Sequence, residues 1–241
     1  MGARRVLCLA AVLALVCLGQ ARGSAAATPE TVDLTPYLDG FPEIGDFHMF
    51  NRSDGQTLRA EILDVREGKK STGYETEYDE AGDLEQEFSE TVHGQEERLG
   101  SAISGDLVFA TRRPKRVQSF VVVPGMPQSF KVGSALFYHG RRAGKATLAG
   151  TSTFVGFEPV STPLGDFAEA AHFHREQTFT IKVHHSVFQT ISISDSWITV
   201  EFGTVFAHRE AHSYQDGFPL ETFGPFDYTL DHGQYQGVPY P

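Results

Sequence analysis

The amino-acid sequence predicts an all-β fold, a strongly curved antiparallel sheet in the form of a half-barrel or open barrel, with little helix. Three observations predict it. Apolar and polar residues alternate with a period of two in several segments, clusters of Gly, Pro and Asp bound those segments, and no segment carries a helical apolar stripe of useful length. We expect about eight to eleven strands from the number and spacing of these segments.

An amino-terminal export signal precedes the predicted sheet. A short basic start leads into the apolar run Val6–Leu18, which has the length of a signal-peptide core and is too short to span a bilayer. The small residues Ala25-Ala26-Ala27 predict cleavage before Thr28, and residues 19–23 offer a second place to cut. We therefore predict that the protein is exported to the periplasm or to the extracellular space.

Both cysteines, Cys8 and Cys17, lie inside this signal. The mature chain is therefore expected to contain no disulfide and no thiolate ligand or nucleophile. Lipid attachment at Cys17 is disfavoured because the preceding residues, Leu15 and Val16, are bulky.

The chain divides into three predicted parts. Residues 1–27 are the signal peptide, residues 28–217 form a single β domain, and residues 218–241 form a tail rich in Gly, Pro and aromatic residues. We expect the tail to pack as an irregular strap over the sheet or to fray. No segment after the signal approaches the roughly 20 apolar residues of a membrane helix, so no transmembrane segment is predicted.

Within the β domain, the alternation places strands in order along the chain. The segments with period-two alternation are 58–62, 117–123, 179–183, 187–193, 197–201 and 204–211. His184-His185-Ser186 and Phe202-Gly203 are predicted to be tight connections between strands. Ala168–Ala171 contains helix-forming residues but leads directly into a strand pattern, so we assign it to a strand.

Acidic residues concentrate between Glu75 and Glu97, where Leu84, Phe88 and Val92 share one strand face. We interpret the carboxylates as the polar faces of strands, which also discourage aggregation at sheet edges.

The charge balance argues against nucleic acid. Removal of the signal takes three arginines and no acid, and so shifts the formal net charge from -11 to -14. Phosphate recognition depends on neutralising lysines and arginines. Two small basic groups, at residues 112–116 and 141–145, lack interleaved aromatic residues and are interpreted as solvated loop charges.

Four segments carry a resemblance to a known family. They are Phe41–Phe50, Pro127–Tyr138, Phe154–Phe167 with its Val-Ser-Thr-Pro-Leu-Gly-Asp-Phe turn, and Asp195–Val205 with its Trp-containing hairpin. In this order they resemble secreted domains of unknown function related to the TapB family, which look like relatives of the LolA/LolB-like open β-barrels. The resemblance covers most of residues 35 to 212. It implies a half-barrel that clasps an apolar ligand, or a structural role, and it transfers no catalytic residue to this chain.

No motif for catalysis or cofactor binding is present. The sequence lacks a Gly-x-Ser-x-Gly nucleophile elbow, a phosphate-binding loop, a His-Glu-x-x-His pair and an Asp-rich calcium loop. We therefore predict no catalytic residue and no cofactor. The enzyme question stays open, with a non-enzymatic role favoured.

The histidines supply the one alternative of a different class. His172 and His174 would share one face of a strand, and His208, Glu210 and His212 would share one face of another. Two imidazoles with a carboxylate form the ligand set of several zinc and non-haem iron sites. The alternative is a histidine-site metalloprotein, such as a metal-dependent hydrolase or oxygenase. Solvated histidines near a sheet edge are the interpretation we favour, so we predict no metal site.

Nineteen phenylalanines against one tryptophan suggest the favoured function. Most of these rings fill a core, and a curved sheet that does not close would use the rest to line a groove. We predict an exported, non-enzymatic binding or scaffold protein that holds a lipid-like hydrophobic ligand in this groove or contacts a protein partner.

Overall fold

The structure is a computed structural model and describes residues 29–38, 42–80 and 82–240. The predicted export signal, residues 1–27, and both cysteines lie outside the described residues. The elements, in chain order, are β1 (Val32–Asp33), α1 (Thr35–Leu38), β2 (Phe47–Arg52), β3 (Thr57–Glu67), β4 (Ser71–Glu80), β5 (Asp83–Val92), β6 (Glu96–Ser104), β7 (Leu107–Ala110), β8 (Lys115–Ser119), β9 (Val121–Val122), β10 (Gln128–Tyr138), β11 (Arg141–Thr162), β12 (Gly165–Val183), β13 (Ser186–Thr199), β14 (Gly203–Gln215), β15 (Phe218–Tyr235) and β16 (Val238–Tyr240).

The large sheet is antiparallel and closes on itself. Strands β2 to β7 follow one another as neighbours, β10 joins β7, and β11 to β15 continue from β10. Strand β15 pairs with β14 on one side and with β2 on the other, which makes a closed barrel of 12 strands. The predicted fold class is confirmed, and the curvature continues to full closure.

Alternation along the strands separates an inner face from an outer face. Buried Phe154, Phe173 and Tyr228 lie on the same face of β11, β12 and β15, as the register of these strands and of the intervening β13 and β14 shows. The same face carries the buried side chains of the neighbouring strands, namely Phe50, Tyr74, Phe109, Phe130, Val132, Leu136, Ala146, Ser152, Ser192, Ala211 and Leu230. This face is therefore the interior of the barrel.

Local sequence explains the longest hairpin. Strands β11 and β12 pair from Thr162↔Gly165 to Gly144↔Val183, with two register shifts. A Cβ atom at Gly150 would lie 2.2 Å from the carbonyl oxygen of Glu176 on the partner strand, so only glycine allows this close approach. Ala168–Ala171 lies within β12, which confirms its assignment to a strand.

Three details differ from the sequence prediction. Residues 218–240 form β15 and β16 instead of an irregular strap, because long-range pairing with β2 and β14 overrides the weak strand preference of Gly and Pro. Segments 187–193 and 197–201 belong to a single strand up to Thr199. Segment 117–123 divides at Phe120, whose backbone bonds to Gln95 and to Leu34.

An amino-terminal segment packs against the barrel core. Strand β1 pairs with β9, the pair forming a separate two-stranded sheet, and Leu34 is fully buried against a cluster that includes Phe154 and Phe173. The adjoining α1 spans four residues. No helix in the described part of the chain has the length and apolar character that crossing a membrane would require.

Asp46 links the beginning of β2 to the turn between β15 and β16. Its carboxylate is 1% exposed and accepts hydrogen bonds from the backbone N–H groups of Glu43 (2.7 Å), Gln236 (2.6 Å) and Gly237 (3.0 Å). One buried side chain thus satisfies three donors from two distant parts of the chain.

We predict that Asp46→Ala lowers the free energy of unfolding by about 3 kcal/mol, because three backbone N–H donors lose a charged acceptor. Equilibrium urea unfolding measures the change. The matched control is Asp231→Ala, since Asp231 is partly exposed and bonds to the side chain of its neighbour His232. Equal midpoints for the two variants would show that the Asp46 contacts do not stabilise the fold.

Candidate functional site

The interior of the barrel contains ionisable side chains as well as aromatic ones. We call five of these residues the charged belt. They are Tyr78 on β4, Glu87 on β5, Glu97 on β6, Arg175 on β12 and Arg209 on β14. Each shares the inner face of its strand with buried or core-packed neighbours, because side chains two apart on a strand point to the same side.

The acidic and basic members of the charged belt lie on opposite walls. In the order of the barrel, five strands lie between β4 and β12, and five lie between β6 and β14, in either direction around the ring. Electrostatic effects cross this interior, since Arg175 and Arg209 both act on the carboxyl of Glu87. On their own wall, Arg175 and Arg209 both stand opposite Ser194 in the register, which places their Cα atoms about 10 Å apart, or two strand spacings.

Among the described residues, no carboxylate lies within 4 Å of the guanidinium of Arg175 or Arg209. Arg209 is nevertheless exposed, and Glu87 is partly exposed although protein surrounds it. Exposure on an inward-facing side chain indicates that water reaches the interior. Side chains alone can fill the interior of an eight-stranded barrel, and a barrel of 12 strands is wider.

Burial within the barrel raises the pKa of Glu87 to about 7, and the nearby Glu97 adds to the increase, while Arg175 opposes it. Burial also raises the pKa of Tyr78 above its ordinary range. The acidic wall therefore includes a carboxyl group that changes charge near neutral pH.

An aromatic surface adjoins the basic wall. Phe130, Phe154, Phe173 and Phe179 all face the interior from β10, β11 and β12. The guanidinium carbon of Arg175 lies 5.9 Å from the centre of the Phe130 ring. The interior thus places Arg175 next to aromatic rings, of which Phe179 is only partly buried, an arrangement that suits a molecule with an apolar part and an acidic part.

A third interior arginine, Arg52, already has its partners. It contacts Glu80 at 2.5 Å and Asp54 at 2.7 Å, bonds to Gln56, and lies 4.3 Å from the centre of the Phe226 ring. Hydrogen bonds to Asp54 and then to Glu80 raise the pKa of Arg52, despite burial. This cluster lies beside a cavity of about 560 Å³ lined in part by Ser53, Ser161 and Asp227.

The predicted histidine residues lie on the outer face. His172 stacks on Trp197 with ring centres 4.2 Å apart, and its Nε2 lies 3.0 Å from Oδ1 of Asp195. The Nδ1 atom of His174 lies 2.9 Å from the same oxygen. Burial lowers the pKa of His174, but hydrogen bonds to Asp195 and Glu176 outweigh this effect and raise it overall.

The other three candidates lie on β14. His208 contacts Asp227 at 2.7 Å, and His212 contacts Thr222 at 3.2 Å. Glu210 stands opposite Ile193 in the register. Within residues 29–38, 42–80 and 82–240, no three His, Cys, Asp or Glu side chains are grouped as metal ligands. The predicted lack of a metal site stays a prediction, and metal binding by these residues stays the alternative to it.

The alternation of the sequence did not predict the charged belt. Glu85 and Glu87 alternate with Leu84 and Phe88, a pattern that predicts carboxylates on the solvent side. The structure turns them inward and leaves Leu84 54% exposed. The sequence of β12 does contain a sign of polar residues inside the barrel, because Arg175 and Gln177 interrupt an apolar face that includes Phe173 and Phe179.

No model of a known protein family matches this chain, and no curated protein matches it. Two solved structures are similar in chain trace. One is a Bacteroides fragilis protein described as exported, with a YmcC-like fold (TM-score 0.49, 15% identity, 81% of this chain and 98% of that chain). The other is described as a lipoprotein of Parabacteroides distasonis (TM-score 0.46, 11% identity, 82% and 99%). The resemblance to the TapB family and to LolA/LolB-like barrels is not confirmed.

We predict that Glu87→Gln stabilises the protein at pH 8 by about 2 kcal/mol, a figure discounted for water in the interior. Because the pKa of Glu87 rises on folding to about 7, its contribution to stability is fully present below about pH 4.5, declines as pH rises, and is lost above about pH 7. Urea unfolding from pH 4.5 to pH 8 measures this.

The free energy of unfolding of Glu87→Gln should decline less than that of the wild type between pH 4.5 and pH 8. Glu67→Gln is the control, since Glu67 is exposed at the end of β3. If Glu87→Gln and Glu67→Gln follow the same pH profile, Glu87 does not ionise in a desolvated interior.

Proposed function

We propose that this chain is an exported, non-enzymatic binding protein that holds an amphiphilic acid inside its barrel. The observation that carries the proposal is the pair Arg175 and Arg209, which face a water-accessible interior without a carboxylate partner among the described residues. This retains the lipid-like ligand predicted from the phenylalanine content and gives it an acidic group.

The electrostatics of the basic wall support an anionic ligand. A guanidinium forms strong, often bidentate hydrogen bonds with carboxylate or phosphate oxygens. Cα atoms about 10 Å apart allow two long side chains to reach one group between them. Ser194, which lies between the two arginines in the register, adds a hydroxyl donor at the same place.

The aromatic side chains support an apolar portion of the ligand. Phe130, Phe154 and Phe173 are each 7% exposed or less and belong to the packed core, whereas Phe179 on the same inner face is only partly buried and can contact a ligand. Each CH₂ group that leaves water on such a surface contributes about 0.8 kcal/mol. An alkyl chain of moderate length would therefore add substantially to the affinity provided by the arginines.

Export rests on the sequence. A basic start, an apolar core and small residues before Thr28 form a signal peptide. The mature chain then has no cysteine that an oxidising extracytoplasmic compartment could cross-link. Periplasmic and extracellular locations both agree with these features.

Binding of dodecanoate and of dodecanol to the mature protein tests the proposal, because the two probes share an alkyl chain and differ in the acidic group. We expect dodecanoate to bind more tightly in isothermal titration calorimetry. Arg175→Gln and Arg209→Gln should each weaken dodecanoate binding by roughly 10-fold to 100-fold, the value of a charged hydrogen bond, and leave dodecanol binding nearly unchanged.

Arg142→Gln is the matched control, because Arg142 is an exposed arginine at the β10–β11 turn. Failure of the wild type to bind either probe, or equal effects of Arg142→Gln and Arg175→Gln, would contradict the proposal. Native mass spectrometry of protein from its own host addresses the alternative. A stoichiometric metal that is lost on replacing His208 and His212 would favour a metalloprotein.

A further inference from the structure

One position in the barrel wall is filled by two short strands instead of one long strand. Strand β6 pairs with β7 through Ala102↔Phe109 and with β8 through Glu96↔Ser119. The break between β7 and β8 covers residues 111–114 and ends in Pro114, which has no N–H group to donate to a sheet. Thr111 fixes the start of the break through a hydrogen bond from its hydroxyl to Gly100 O (2.7 Å).

The break leaves a slot in the barrel wall. Strand β10 pairs with β7 only from Ala135 to Tyr138, so residues 128–134 have no ladder partner on the side of β8. A cavity of about 360 Å³ lies at this place. We call it the wall slot, and it is lined by Thr111, Arg112, Arg113, Lys115 and Gly133.

The wall slot concentrates positive charge that no described carboxylate neutralises. Arg112, Arg113 and Lys115 are exposed, and none forms an ion pair within the described residues. Arg116, beside them in sequence, contacts Glu96 at 3.8 Å. In a protein with a formal net charge of -11, three cations around one concave space form a local region of opposite potential.

We propose that the wall slot binds a phosphate monoester group. Two adjacent guanidinium groups offer planar, bidentate donors to phosphate oxygens, and an ammonium group adds a point charge. Residues 128–134 of β10 have no ladder partner on this side, so those backbone N–H groups that point toward β8 can add further donors at the same opening. The cavity volume falls in the range of sites for small organic ligands, so the phosphate is expected to carry an organic substituent.

Gly133 gives the wall slot its depth. A Cβ atom at this position would meet no heavy atom within 4 Å, so the space above the glycine is open. A larger side chain at position 133 would project into this space without displacing the backbone. Shape and charge can therefore be tested separately.

The wall slot differs from the interior site. Its cations come from residues 112–115, whereas Arg175 and Arg209 belong to β12 and β14. Binding of a phosphate monoester at the slot does not depend on the proposed interior ligand, and the two proposals can fail separately.

Calorimetric titration of the mature protein with phenyl phosphate at low ionic strength is the first test. We expect Arg112→Gln/Arg113→Gln to weaken binding at least 10-fold and Gly133→Phe to abolish it. The matched control is Arg141→Gln/Arg142→Gln, an exposed arginine pair at another turn without an ion pair among the described residues. Thermal unfolding by circular dichroism confirms that each variant is folded.

The steric variant separates a formed site from diffuse attraction. Loss of binding in Gly133→Phe and retention in Arg141→Gln/Arg142→Gln support the proposal. Wild-type affinity in Gly133→Phe, or an equal loss in the two arginine double variants, would overturn it. If Gly133→Phe unfolds, Gly133→Leu replaces it, and the same comparison applies.

Two further probes identify the source of the phosphate group. Inorganic phosphate measures the contribution of the anion alone. Vesicles of phosphatidylcholine with about 20% phosphatidic acid, which carry a negative surface charge, measure binding to a lipid headgroup. Binding of phenyl phosphate and of these vesicles, both blocked by Gly133→Phe, supports a slot that accepts a headgroup. Binding of phenyl phosphate alone supports a soluble ligand, and vesicle binding that Gly133→Phe leaves intact overturns the proposal.

Discussion

The double pairing of β15 is the constraint on which the rest of the structure depends. Its first part pairs with β14 and its last part with β2, so the two ends of the sheet meet. Arg52 lies on β2 directly opposite Tyr228 of β15, and both side chains reach Glu80. The closing seam is thus fixed by buried polar contacts as well as by backbone hydrogen bonds. Closure in turn defines an interior.

Closure also determines which side chains oppose one another. Once the sheet forms a ring, the inner faces of β5 and β12 point at each other, and Glu87 and Arg175 share one interior. The apolar residues of β5 must then face outward. Phe88 covers the positions of Gly73 and Gly100, where a Cβ atom would lie 2.8 Å and 2.5 Å from its ring atoms. The outer surface therefore offers a site for this ring, and the carboxylates gain access to interior water.

The sequence alone predicted the fold class, and several elements follow from local pattern. Period-two alternation located β3, β12 and β14, and the positive φ of Gly203 (66°) matches the predicted turn before β14. Alternation separates two faces but does not say which face lies inside, so the direction of Glu87 could not be predicted. Strand β15 was not predicted because Gly and Pro have a weak strand preference, and only pairing with distant strands makes this segment a strand. The opposition of Arg175 and Glu87 depends on closure, which has no local signal.

The outer and inner charges of the barrel differ in whether they have partners. On the outer face, the register across β12 to β15 alternates imidazoles and carboxylates, in the order His174, Asp195, His208 and Asp227. Each imidazole therefore stands beside a carboxylate. A metal ion at these imidazoles would have to compete with hydrogen bonds that already exist. Arg175, Arg209 and the cations of the wall slot have no carboxylate partner among the described residues. Binding free energy is available where a charge gains a partner, not where it exchanges one, and in this chain that condition selects the interior and the wall slot over the histidines.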